Sequence, residues 1–231
     1  MVTENTQTLN DKAWIRWSAL FIVAFTMMAA YYVNDVMAPL KSMLEGQLSW
    51  TSGEFGMFTG AYSFLNVFLL MLIWGGLILD KFGIRFTGIL ATVLMVGGTA
   101  VEYIAITQYG GTSEMLWGYK LDVLMASAGY SVFGVGAEVA GITVTKIIAK
   151  WFKGKEIALA MGVQVALARI GSQAAYAIAI PVAKAYSLET PLFIGAAVLV
   201  GGFFAFLAFS LMDRKLDKQV RISTTCNAEE K

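Results

Sequence analysis

Two side chains carry chemistry that does not suit their surroundings. Glu138 and Arg169 each lie inside a long apolar run of a 231-residue chain. An ionised side chain at the middle of a membrane-crossing helix costs ~2.5–3.5 kcal/mol on insertion scales, so each needs a reason. Arg169 falls thirteen residues from the start of its run, and Glu138 about eight residues from the end of the preceding one. At ~1.5 Å per helical residue the two differ in depth by only about 7 Å, so neighbouring helices can present both to one cavity. Such a pair has two uses. It joins two helices by neutralising two buried charges, or it forms the opposite ends of a site for a ligand bearing both signs of charge. Gln173 and Tyr176 follow Arg169 on the same helical face and are candidates to line that cavity. So are Asn34 and Asp35. Gly134 and Gly141 flank Glu138, leaving room for a ligand or for close helix packing. Asn34, Asp35, Asn66, Glu102 and Asp122 lie nearer the outer ends of their runs, and solvated helix ends explain Asp35 and Asp122. An entrance-lining or proton-accepting role serves Asp35 and Asp122 equally well.

The elements that must position these groups are membrane helices. The chain is 58% hydrophobic and 14% charged, against ~45–50% and ~25% for soluble domains. Lipid is therefore the expected solvent. Six apolar stretches reach the ~20 residues needed to cross a hydrocarbon core: Trp17–Met37, Phe55–Leu79, Phe86–Thr107, Trp117–Thr145, Glu156–Ala183 and Leu192–Met212. They lack the alternation of membrane β-strands. The expected fold is all-α and integral to the membrane. It comprises an amino-terminal segment (1–13), a six-helix bundle (14–212) and a polar tail or linker (213–231). Trp14, Trp17 and Trp117 at span edges suit interfacial anchors.

The absence of histidine removes Ser-His-Asp and HExxH chemistry, and the single cysteine, Cys226, allows no intrachain disulfide. The expectation is a non-enzyme with no cofactor and no metal. A formal net charge of +1 points to no nucleic-acid partner. The distribution of charge says more. Thirteen lysines and arginines fall on the side of the two termini and the loops after the second and fourth spans, against Lys41, Lys120 and Lys184 opposite. The positive-inside rule then puts both termini in the cytoplasm.

Between the second and third spans stands Gly76-Leu-Ile-Leu-Asp80-Lys81-Phe-Gly83-Ile-Arg85. It resembles the loop signature of the major facilitator superfamily, Gly-x-x-x-Asp-Arg/Lys-x-Gly-Arg/Lys-Arg/Lys, with Ile84 where a basic residue is usual. In physical terms Gly76 permits close helix contact, Gly83 permits a tight turn, and Asp80 suits a helix amino terminus or a basic partner. Lys150-Trp151-Phe152-Lys153-Gly154-Lys155-Glu156 is similar to the corresponding loop between spans four and five. Together with Leu167–Ser172 and Gly134-Val-Gly136-Ala-Glu138, it resembles the branch containing a lysosomal dipeptide transporter and its bacterial relatives. The arginine of many proton-coupled members would fall near Ser131, and the glycine-proline pattern of antiporters breaks at Ala175 and Tyr176.

The resemblance implies one half of the superfamily fold, built as two inverted three-helix repeats. It implies alternating-access transport of small organic solutes, dipeptides being the leading substrate. Glu138 would take the ammonium and Arg169 the carboxylate, and the loop Gly76, Asp80, Lys81, Gly83 and Arg85 would serve the conformational switch. It further implies a partner besides lipid and substrate: a carboxy-terminal six-helix half, or a second copy. The rival from another class is a non-transporting membrane scaffold or assembly partner. Without glycosylation or sorting motifs, the expected location is a bacterial inner (cytoplasmic) membrane.

Overall fold

The computed structural model describes residues 8–229, with side chains as far as Val220. Residues 1–7, and the side chains of Arg221, Cys226 and Lys231 that belong to the expected tail, lie outside the described set. Seven α-helices follow one another: α1 (Ala13–Val36), α2 (Lys41–Gln47), α3 (Ser52–Phe68), α4 (Met71–Gln108), α5 (Leu121–Trp151), α6 (Ile157–Ala185) and α7 (Thr190–Glu229). Five stretches are long and apolar enough to cross a membrane, the first of them joining α1 and α2.

The expected second span is not one helix. α3 starts on a capping box, in which the Thr51 hydroxyl accepts from the Glu54 amide and the Glu54 carboxylate accepts from the Thr51 amide. It ends at Phe68, and the chain passes through Leu70 in the left-handed region (φ 50°, ψ 45°) before α4 begins. α4 itself is interrupted at Gly83 (φ 78°, ψ 173°), a conformation that glycine adopts without a Cβ penalty. The break at Leu70 falls inside a continuous apolar run, and that at Gly83 in the charged loop between the expected second and third spans.

Two other boundaries differ from the sequence reading. Met115–Leu116 and Tyr119–Lys120 pair as a small antiparallel hairpin, with Trp117 and Gly118 at positive φ in its turn. α5 therefore starts at Leu121, and Trp117 sits 86% exposed at the hairpin tip. At the other end, α7 runs on beyond Met212 into the expected polar tail. Asp213 is fully buried there and receives charged partners from two other helices, so the helix is held where hydropathy alone would end it.

α5 is the hub. It packs along α4 on one side and α3 on the other, while α1 packs against α6 and α7, and α4 against α7. At the α4–α5 crossing, Gly98 faces Gly129. A Cβ on Gly129 would lie 2.6 Å from the Gly98 carbonyl oxygen and 2.7 Å from the Glu102 amide nitrogen. Only hydrogen fits there, because in lipid close backbone approach and van der Waals contact replace the hydrophobic drive to associate. Gly129→Ala should lower stability in detergent by about 1–3 kcal/mol. Gly97→Ala, with nothing within 4 Å of the new Cβ, should leave it unchanged or slightly raised. Thermal unfolding of the two purified variants checks this.

At the end of the bundle carrying the α5–α6 turn, Lys155 donates to Asp11, and Arg16 pairs with Glu156 while its guanidinium lies over the Phe152 ring. Hydrogen bonds from Lys155 and then Thr8 hold the Asp11 carboxyl down at about 2. A depressed carboxylate stabilises fully above its ordinary value of 3.8 and loses that contribution as pH falls towards 2. The pair is solvent-screened, so its worth is under about 1 kcal/mol. Asp11→Asn should flatten the stability curve between those two values, read as melting temperature against pH.

Candidate functional site

α1, α3 and α5 enclose a cavity of about 260 Å³. Its walls carry Tyr31 and Asn34 from α1, Thr59 and Tyr62 from α3, and Tyr130, Glu138 and Gly141 from α5. Each position follows from helix geometry: Tyr130, Glu138 and Gly141 recur on one face of α5, as do Thr59 and Tyr62 on α3. The Tyr62 hydroxyl donates to Glu138 Oε1 at 2.9 Å. The Tyr130 hydroxyl donates to the Asn34 carbonyl oxygen at 2.8 Å, and the Asn34 amide donates to Asp35 Oδ1 at 2.8 Å. The cavity therefore holds one carboxylate among phenol and amide groups, a lining suited to an ammonium group.

Arg169 is not a wall of this cavity. Its guanidinium rests 5.4 Å from the centroid of the Tyr31 ring, on the exposed face of α6 that also carries Gln173 and Tyr176. No ion pair joins Glu138 to Arg169 among the described residues, so the helix-pairing reading of these charges is not the arrangement found. The structure brings Glu138 and Asn34 into one lining and ties Asp35 to it through Asn34. Arg169 stands beside the cavity, at Tyr31, with Gln173 and Tyr176 outside the lining. The flanking glycines divide between the two roles. A Cβ on Gly134 would press on Tyr62 at 2.9 Å, whereas Gly141 has open space. Tyr31, Tyr62 and Tyr130 were missed by sequence reasoning; the available signal was a phenol in the interior of an apolar run.

Ser131 Oγ donates to the carbonyl oxygens of Ala61 and Ser127, each at 2.9 Å, fastening α5 to α3. The solvated-end reading fails for Asp122. Asp122 is buried and accepts from Trp50 Nε1, the Gly111 amide and the Val123 amide, which ties the loops at that end together. Glu102 is buried at the α4–α5 crossing with no partner for either carboxylate oxygen among the described residues.

The loop residues divide similarly. Asp80 accepts from Lys146 Nζ at 2.6 Å on the surface, and Lys81 lies over the Phe82 ring. Arg85 pairs with Asp217 at 2.8 Å and Asp213 at 3.4 Å. Lys150 reaches both aspartates at 2.7 Å, and Trp151 Nε1 donates to Asp213. The kink of α4 is thereby locked to α5 and α7. A Cβ on Gly76 would meet nothing within 4 Å among the described residues, whereas one on the neighbouring Gly75 would lie 2.9 Å from Val139 Cγ2. One residue of helix rotates the position by ~100° and turns Gly76 away from α5.

A helical bundle of this hydropathy, with an asymmetric polar cavity between its helices, defines a multi-pass integral membrane protein. The sequence profile of the Major Facilitator Superfamily matches residues 20–224, and the chain belongs to that superfamily. Among curated proteins it is similar to the lysosomal dipeptide transporter MFSD1 of several animals. Identity is 26% over 214 residues for Mus musculus, covering 88% of this chain and 43% of that protein. It is 30% for Bos taurus and 29% for Homo sapiens, each over 158 residues, covering 68% of this chain and 31% of those proteins. The chain thus spans under half the length of these relatives.

A buried carboxyl without partners costs about 1–3 kcal/mol. Glu102→Met, similar in volume and apolar, should therefore raise stability by about that amount, measured by thermal unfolding in detergent. A fall of similar size would show that Glu102 has a partner in the membrane.

Proposed function

We propose that the chain is the amino-terminal half of a secondary transporter that moves small organic solutes by alternating access, with dipeptides as the leading substrates. The observation that carries this reading is the cavity between α1, α3 and α5, with Glu138 in its wall and Arg169 beside it. A dipeptide is a zwitterion. Glu138 takes its ammonium within the tyrosine lining, and Arg169 takes its carboxylate in a bidentate fork. The names of the animal relatives, which describe dipeptide transporters, support the same substrate class.

In this reading the chain crosses the membrane six times, the turn at Gly83 separating the second crossing from the third. The helix contacts support two three-helix repeats related by a two-fold axis. Exchanging α1 with α5, α3 with α6, and the second limb of α4 with α7 turns the α1–α6 contact into α5–α3, and α1–α7 into α5–α4. The α4–α7 contact maps onto itself. The opposite wall of the site comes from a further six-helix unit or a second copy, facing the exposed side of α6. Both termini lie in the cytoplasm of a cell whose inner membrane holds the protein, as the thirteen-to-three basic asymmetry supports.

The test is uptake of a labelled dipeptide into proteoliposomes holding the chain, alone and together with a complementary six-helix half. Uptake in either arm is expected; none in both rejects transport by this chain. In purified protein, Arg169→Ala should weaken dipeptide-dependent thermal stabilisation by roughly 10-fold or more in half-maximal concentration, because a charge-assisted contact is worth about 1.5–3 kcal/mol. An unchanged response removes Arg169 from the site.

A further inference from the structure

Both charged groups of the site rest on tyrosines, and each keeps capacity in reserve. Glu138 Oε1 accepts from Tyr62, while Oε2 has no hydrogen bond among the described residues. Arg169 makes no ion pair or hydrogen bond among the described residues; its one contact of note is the face of the Tyr31 ring. All of its N–H donors remain available for a carboxylate. Tyr31 is also a wall of the cavity that holds Glu138. Tyr31 thus belongs to both ends of the site.

We infer that Tyr31 is the length-determining residue of the site. By seating the Arg169 guanidinium against its ring, it fixes how far the carboxylate-binding end stands from Glu138. This rests on the reading of Glu138 and Arg169 as the two ends of a peptide site. An arginine side chain has a long flexible stem, and left unseated it would sweep over several ångströms. Each residue added to an extended peptide moves its carboxylate about 3.3–3.6 Å from its ammonium. A guanidinium held in place rejects a ligand one residue too short or too long, whereas a free one follows the carboxylate. The ring supplies that hold by a cation–π contact, which strengthens away from bulk water. It does so without occupying the N–H donors, as an acidic partner would.

The test is binding of alanine, dialanine and trialanine to the purified full chain in lipid nanodiscs, read as ligand-dependent thermal stabilisation. Wild type should prefer dialanine over both others by roughly 10-fold or more. Tyr31→Phe, which keeps the ring, should retain that preference. Tyr31→Leu should reduce it to roughly threefold or less while dialanine still binds, since discrimination is a difference between affinities. A merely structural role would weaken every ligand in proportion and leave the ratios intact. If Tyr31→Leu does not give a monodisperse folded protein, Tyr31→Met removes the ring while keeping bulk and carries the same comparison. Retained ratios in the ringless variant overturn the role of Tyr31 and leave the peptide site standing. A wild type that binds all three ligands equally overturns it too. Binding of none by wild type overturns the peptide site itself, and this inference with it.

Discussion

The crossing of α4 and α5 at Gly98 and Gly129 is the contact on which the positions of the other helices depend. Hydrocarbon offers no solvent for exposed peptide groups and no hydrophobic gain from pairing apolar helices. Association then depends on how closely two backbones approach, and here they meet with only glycine hydrogens between them. The crossing sets the rotation of α5, and α5 carries much of what matters. Tyr130 and Glu138 face the cavity, Ser131 fastens α3, and Lys146, Lys150 and Trp151 reach the kink of α4 and the far end of α7. A shift at the crossing moves Glu138 relative to Tyr31 on α1.

Polar and charged groups in the interior and along the cavity of this bundle fall into distinct kinds. Asp122 and Asp213 are well satisfied and act as ties, one for the loops around Trp50 and Gly111, the other for the α4 kink, the end of α5 and α7. Breaking such a tie leaves an uncompensated charge, which is why these groups hold geometry so firmly. Glu138 is satisfied at one oxygen, and Arg169 rests on a ring with no hydrogen bond or ion pair among the described residues. That incomplete satisfaction is what a binding site requires: groups already oriented, with donors and acceptors left for a ligand. Glu102 belongs to neither kind, being buried without partners among the described residues.

Much of the architecture was legible in the sequence because membrane helices announce themselves by length and hydropathy, and Glu138 and Arg169 by their charge within apolar runs. The tyrosines were not legible. A phenol tolerates an apolar interior, so Tyr31, Tyr62 and Tyr130 raise no alarm until their hydroxyls and rings are seen against the charged groups. Asp213 and Asp122 were misjudged for the opposite reason: an acidic residue at the end of an apolar run ordinarily faces water, and here each meets donors from distant segments. The choice between Gly75 and Gly76 turned on one step of helical rotation, which no motif encodes.

By itself the sequence determined that the protein is helical and lives in lipid, that its basic residues are segregated, and that it carries the loop signatures of its superfamily. These are properties of single residues and short runs, summed along the chain. Only the tertiary structure decided that Glu138 and Arg169 are not paired with each other among the described residues, that each rests on a tyrosine from another helix, and that the helix beyond Met212 continues because Asp213 is held. Such facts depend on pairs of residues far apart in sequence. Helix rotation and crossing distance select those pairs, and both are set by packing between elements rather than by the hydropathy of either one.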